Sequence, residues 1–353
     1  MRSSRSRSAR RERPEPREMQ WSSYIDLYLR RDNPTFVRHS RTPLFEVSRQ
    51  SMISIHDLKN PTGPIIFDGG FGAALQHRGL TSGTPPETWN IARPEEVRKL
   101  HAEFVAAGSA IIESNTFGAN SCRWHASGER APLGLVIHEA CRLAASAADA
   151  KAVVAASTGP LGDVLEPYGE LSRKQGKHAF REQYTMLKSE GIRVLLIETM
   201  MSLDEALLAL ETAKEVGFDA VGVTMTFEPG PHGPRTAFGV APAEAARRLS
   251  EAGANIVGSN CGSGFDTMRI VAAEFLEHAG VPVLIQPNAG IPVVGADGPM
   301  YPETPESFGE FLQELYETGV RLLGGCCGSG PEHIACAKAA LRRHSVGGHR
   351  INI

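Results

Sequence analysis

The chain is short of cysteine, of net charge and of long apolar runs, and each shortage removes a class of function. Six cysteines among 353 residues are too sparse for a disulfide scaffold, and a reducing compartment suits a thiolate site. A formal net charge of -3, with 22% charged residues, leaves no global bias toward nucleic acid or a membrane surface. No apolar run approaches the ~20 residues needed to span a bilayer, and no charged start is followed by an apolar stretch and a secretory cleavage site. The expectation is a cytoplasmic protein with neither nucleic acid nor membrane among its partners. The 41% of apolar residues can bury a large core, and the length fits either two ordinary domains or one large α/β barrel.

Residues 1–51 differ in composition from the rest of the chain. Seven arginines lie between Arg2 and Arg17 among serines and prolines, and such a stretch cannot bury enough apolar surface to fold alone. It is expected to be a disordered Arg/Ser-rich extension, with residues 52–353 as the folded domain and Met52 as an alternative start. Glu12, Glu15 and Glu18 weaken a reading of this stretch as a transit peptide or a nucleic-acid-binding arm.

From Pro64 onward, short β-branched runs alternate with longer segments of helical period. Strands are expected at 65–68, 110–114, 152–157, 194–198, 220–225, 255–259, 283–286 and 321–324, and helices at 94–107, 132–148, 171–190, 203–216, 242–251, 265–278, 305–318 and 331–342. Eight strand-helix units predict a (βα)8 TIM barrel of the α/β class, with a doubly wound open sheet as the alternative. In a barrel the residues just past each strand carry the chemistry. That rim is rich in glycine and polar groups, from Asp68-Gly69-Gly70 through Glu198-Thr199 and Asn260-Cys261-Gly262 to Pro287-Asn288 and Gly325-Cys326-Cys327-Gly328.

Cys261, Cys326 and Cys327 stand at two of these strand ends. Each cysteine read alone is a small buried hydrophobe. Read together, with glycines that let backbone approach a ligand closely, three thiolates could hold one zinc ion and leave its fourth position open, the arrangement of a catalytic site. Spacing alone leaves both readings standing.

The segments Asp68-Gly69-Gly70-Phe71-Gly72, Glu87-Thr88-Trp89-Asn90, Ser114-Asn115-Thr116-Phe117-Gly118-Ala119-Asn120, Asn260-Cys261-Gly262, Pro287-Asn288-Ala289-Gly290 and Gly324-Gly325-Cys326-Cys327-Gly328 resemble the zinc-dependent homocysteine S-methyltransferase family. In motifs they are most similar to the homocysteine-binding module of cobalamin-dependent methionine synthase. The resemblance implies zinc on Cys261, Cys326 and Cys327, and methyl transfer to the thiol of homocysteine, giving methionine. It implies Glu198 as receiver of the substrate ammonium, and Asp68, Gly69 and Gly70 around the amino and carboxylate groups. Asn288 matches a position that can fill the zinc's fourth site before substrate enters.

The methyl donor differs within the family. A quaternary ammonium donor calls for an aromatic cage, and betaine-type members carry tyrosines just after the second and fourth strands, where this chain has Phe117-Gly118 and Thr199-Met200. Trp89, Phe117, Tyr168 and Phe227 are the aromatic residues that could contribute otherwise. The expected donor is a methylcorrinoid, a cobalamin carried on a separate protein. Betaine, a sulfonium or S-methylmethionine is the alternative, and a non-catalytic zinc-binding barrel is the alternative of another class. His101, His138 and His178 fall on helix candidates away from the rim and read as ordinary histidines.

Overall fold

Strand and helix alternate along the chain as the hydrophobic periodicity predicts. The computed structural model describes residues 53–295 and 298–347; the expected disorder of residues 1–51 and the start at Met52 lie outside the described residues. Helix α1 (Ile55–Lys59) precedes β1 (Ile65–Ile66), and α2 (Phe71–His77), a 3-10 turn (Pro86–Thr88), α3 (Trp89–Ala92) and α4 (Pro94–Ala107) lead to β2 (Ile111–Ser114). Helices α5 (Ser121–Ala126) and α6 (Leu133–Ala148) lead to β3 (Val153–Thr158), and α7 (Arg173–Ser189) leads to β4 (Val194–Met200). Then come α8 (Leu203–Val216), β5 (Ala220–Met225), α9 (Pro242–Glu251), β6 (Ile256–Cys261), α10 (Gly264–His278) and β7 (Val283–Pro287). A hairpin of β8 (Val293–Gly295) and β9 (Gly298–Met300) interrupts the alternation before α11 (Pro305–Thr318), β10 (Leu322–Leu323) and α12 (Pro331–Gly347).

Eight strands form one parallel sheet in the order β1-β10-β7-β6-β5-β4-β3-β2, and parallel neighbours require the helical crossovers that separate them. At the remaining seam, Ala110 N donates to Ile66 O at 2.7 Å and Glu113 N donates to the Asp68 carboxylate at 2.9 Å. The sheet thus curls into a nearly closed (βα)8 barrel, as expected. Proline in the first turn of α4, α9 and α11 costs no hydrogen bond there, and glycine in a left-handed conformation ends α4, α8 and α11, which no other residue does as cheaply.

The apolar side chains divide into two cores. Ile65, Phe67, Ile111, Ala155, Leu196 and Leu284 point into the barrel with Leu58 of α1 among them, while a larger set packs between the sheet and the helices. The inner set fills the barrel interior with apolar side chains. Everything polar on the inner wall must therefore lie toward the strands' carboxyl ends.

Candidate active site

Side chains alternate along a strand, so counting in twos from the inner apolar set locates the site. Ile111 leads to Glu113, Ala155 to Ser157, Leu196 to Glu198, Ile256 to Asn260 and Leu284 to Gln286. These polar groups face one another above the apolar layer.

The sulfurs sit at the same level. Cys261, the last residue of β6, has a φ of 61°, a left-handed conformation rare outside glycine; the turn takes it out of the alternation that would send it to the outer face. The Sγ atoms of Cys261, Cys326 and Cys327 all lie within 4.8 Å of one another, and those of Cys261 and Cys327 are 4.0 Å apart. Three sulfurs on one tetrahedral zinc, each at about 2.3 Å, would stand about 3.8 Å from one another, so the cluster fits that ion. Its charge argues the same way. Hydrogen bonds from Cys261 and Cys326 pull the Cys327 thiol down to about 3, while bonding with Cys261 and then Cys327 pushes Cys326 well up. One sulfur can ionise unaided, and a bound cation is what would let all three do so.

Glycine is what lets the backbones around the sulfurs meet. A Cβ on Gly70 would lie 2.3 Å from the Cys326 carbonyl oxygen, one on Gly69 would lie 2.3 Å from the Ser329 carbonyl oxygen, and one on Gly328 would lie 2.2 Å from the Tyr301 ring. Gly70 N already donates to Ser329 O at 2.9 Å, so of the two backbone groups expected near substrate, Gly69 N is the one left for a carboxylate. Asn288 donates through Nδ2 to Gly262 O at 3.0 Å, and its Oδ1 is buried with no partner, an oxygen still open to a ligand.

Three carboxylates crowd the inner wall beside the sulfurs. Burial pushes Asp68 well above the usual carboxylate range, with the Glu198 charge adding to it. Glu113 is pushed well up by burial and then by the charges of Glu198 and Asp68. Burial also raises Glu198, while the Ser157 hydroxyl that donates to its Oε1 holds it back. Asp68 and Glu198, both named from sequence, are thus brought to one place.

Glu113 and Gln286 were not named from sequence, and Asn260 was read on the rim beside Cys261 without a role of its own. Glu113 and Gln286 lie inside their strands, where a reading of the residues past strand ends overlooks them; an alternation count through the apolar runs would have found both. Asn260 is the most connected of them. Its Oδ1 accepts from Thr199 N and Thr224 Oγ1, both at 2.7 Å, and its Nδ2 donates to Thr199 Oγ1 at 2.7 Å, Glu198 Oε2 at 3.3 Å and Cys326 Sγ at 3.6 Å. Thr199, like Cys261, has a left-handed backbone with φ 61°, at the point where the β4–β5 register shifts. Backbone strain of this kind persists only where surroundings enforce it, and it gathers at functional sites.

Other motif residues turn out to be braces. Asn90 and Asn115 bond each other at 2.8 Å, with Asn90 also donating to Asn115 O and Asn115 to Pro86 O, both at 2.9 Å, and Glu87 accepts from Gly118 N. Together they pin the loop after β2 to the segment around α3. Of the aromatic residues considered for a cage, Phe227 and Trp89 are buried, and Phe117 already carries the Arg123 guanidinium over its ring. Tyr168 is exposed and meets Phe238 edge-on at 6.3 Å. His101, His138 and His178 lie on α4, α6 and α7, apart from the sulfurs.

A model of the homocysteine S-methyltransferase family matches residues 65–341. The chain is 34% identical over 291 residues to S-methylmethionine–homocysteine S-methyltransferase of Rattus norvegicus, covering 76% of each protein. It is 34% identical over 295 residues to betaine–homocysteine S-methyltransferase 1 of Mus musculus, covering 76% of this chain and 70% of that one. Methionine synthase of Mycobacterium leprae is 28% identical over 299 residues, which is 80% of this chain and 25% of that much longer protein. Among solved structures, the metallated form of the homocysteine methyltransferase MmuM from Escherichia coli has the same fold, with a TM-score of 0.67 at 19% identity over 81% of this chain and 99% of that one.

Proposed function

The chain belongs to the homocysteine S-methyltransferase family and is an S-methyltransferase, and from that premise we propose that it methylates homocysteine to methionine at a zinc site held by Cys261, Cys326 and Cys327. The observation that carries this reading is the convergence of three sulfurs within 4.8 Å of one another beside buried carboxylates. Bound there, zinc would supply deprotonation of the acceptor thiol at neutral pH, where a free thiol is mostly protonated. Glu198 and Asp68 receive the ammonium of homocysteine, and Gly69 N faces its carboxylate. Asn260 holds Glu198 and Cys326 at a fixed separation, which sets the distance between the amino end and the sulfur end of the substrate. In the transfer the homocysteine sulfur attacks the methyl carbon. The new S–C bond forms as the bond to the donor breaks, and the product is a neutral thioether, a weaker ligand than the thiolate it replaces. Asn288, whose Nδ2 is held by Gly262 O and whose Oδ1 is buried without a partner, is the side chain suited to the fourth position before substrate arrives. The alternative of a non-catalytic zinc-binding barrel gives way to the family membership.

For the donor we favour a methylcorrinoid carried on a separate protein. Of the large apolar side chains exposed among the described residues, all but Ile91 on α3 and Ile270 on α10 lie between a barrel strand and the helix that follows it, the face on which the site opens. Tyr168, Met201, Phe238, Ile291 and Met300 are among them, and exposed apolar groups gathered around a mouth are what a docking protein covers. A second reading, in which betaine or S-methylmethionine donates directly, is favoured by the names of the two 34% identical relatives. One assay separates them: methionine formation by zinc-loaded protein given methylcobalamin, betaine, S-methylmethionine or dimethylsulfoniopropionate in separate reactions, with Cys326→Ala as control. The corrinoid reading expects product from methylcobalamin, lost in the variant. Product from betaine or S-methylmethionine alone at a comparable rate sinks it.

A further inference from the structure

Asp68, Glu113 and Glu198 form a cluster of carboxyl groups with no cation of the protein's own, in which the Glu113 and Glu198 side chains hydrogen-bond each other. No lysine, arginine or histidine pairs with any of them among the described residues. Buried carboxylates left this way are costly unless a positive group arrives. Beside them Gln286, 3% exposed, donates through Nε2 to Glu113 Oε1 at 2.7 Å, and its Oε1 is buried without a partner. That amide therefore adds one more unused acceptor to the cluster. Its Nε2 holds Glu113 in place. Among the described residues only the three cysteines gather tightly enough to hold a metal ion, so the cation that suits the carboxylates is an ammonium, which brings three N–H donors and no acceptor.

We propose that Glu113, positioned by Gln286, completes with Asp68 and Glu198 a three-carboxylate receptor for the α-ammonium of the acceptor, so that the site selects an α-amino thiol over a simple thiol. The inference rests on homocysteine being the acceptor, and it adds to that reading the residue that discriminates. Glu113 is placed for this by strand alternation from Ile111 and by its own N–H, which the Asp68 carboxylate accepts at 2.9 Å. The two carboxylates are thereby fixed relative to each other before any substrate enters. Gln286 positions Glu113 through its Nε2.

The test compares homocysteine with 4-mercaptobutyrate, which keeps the thiol and the carboxylate and lacks the ammonium. Binding of each to the zinc-loaded full chain is measured by titration calorimetry for the unaltered protein, Glu113→Gln and Gln286→Met. Loss of a charge-assisted hydrogen bond should weaken homocysteine by about tenfold to a hundredfold in Glu113→Gln and leave 4-mercaptobutyrate within about twofold. Gln286→Met, which removes the positioning amide without changing charge, should show the same selectivity to a smaller degree, and it stands in should Glu113→Gln not fold. Equal losses for both ligands would mean a structural role and overturn the proposal, as would homocysteine binding that neither variant alters. No homocysteine binding by the unaltered, zinc-loaded chain would overturn the acceptor assignment itself, a different result from a failure confined to the variants.

Discussion

Asn260 has an amide with one acceptor atom and one donor atom, and the site uses both to capacity. Oδ1 holds the strained Thr199 backbone and the Thr224 hydroxyl, and Nδ2 reaches Thr199, Glu198 and Cys326. Replacing it by aspartate keeps its size and its acceptor but turns the donor side into a carboxylate facing Glu198 and a thiolate. Partners that orient metal ligands commonly matter by about 10–100-fold in metal affinity or activity. Asn260→Asp is therefore expected to weaken zinc binding within that range, read by competition with a chromogenic chelator, while near-UV dichroism confirms that the barrel is folded. Unchanged zinc affinity in a folded variant would show that the Asn260–Cys326 contact does not steady the sulfur.

At the scale of elements, the strand ends are keyed to one another through glycine. Gly70, at the start of α2, has φ -69°, which alanine also adopts, so a Gly70→Ala change tests packing without backbone strain. The added Cβ would meet the Cys326 carbonyl at 2.3 Å and Cys327 Cα at 3.0 Å, backbone atoms that cannot swing aside. Overpacking of this kind costs about 1–3 kcal/mol. Gly70→Ala should lower stability by that much in urea unfolding and reduce zinc retained per chain on dialysis; Gly63→Ala, where a Cβ meets nothing within 4 Å, should do neither. The arrangement of elements was readable because each barrel strand is an apolar run with a helical segment after it: all eight strands and their eight main helices stand where periodicity put them. The hairpin of β8 and β9 was not readable, since its glycines and prolines look like loop. The sulfurs were found because cysteine and glycine motifs are rare enough to stand out. Glu113 and Gln286 were hidden by their position within the runs Ile111-Ile112-Glu113 and Leu284-Ile285-Gln286, where the surrounding apolar residues mark the strand and draw attention away from the inward polar side chain, whereas Asn260 was visible in its motif but its bonding was not.

At the scale of the whole molecule, Asp68 joins barrel closure to substrate binding. The β1–β2 seam is the one place where the sheet has no strand ladder, and beyond Ala110 N to Ile66 O it is the Asp68 side chain that takes the Glu113 N–H a neighbouring strand would otherwise satisfy. A buried N–H left without a partner costs about 1–3 kcal/mol. Burial also raises the Asp68 carboxyl well above its ordinary range, so its ionised form is held at a cost until an ammonium arrives. The two contributions separate by substitution. Asp68→Asn keeps an oxygen for Glu113 N and removes the charge, so the unliganded protein should be at least as stable as the native one in urea at neutral pH. Asp68→Ala removes the acceptor and should lose about 1–3 kcal/mol. Both should bind homocysteine more weakly, because each removes a carboxylate from the ammonium. Ligand at a hundred times its dissociation constant stabilises a folded protein by about 2.7 kcal/mol, so homocysteine at a fixed concentration should raise the unfolding midpoint of the native chain more than that of either variant. Equal stability of the alanine and asparagine forms would mean that water or a neighbouring strand satisfies the Glu113 N–H, and that closure of the barrel does not depend on the residue that also receives the substrate.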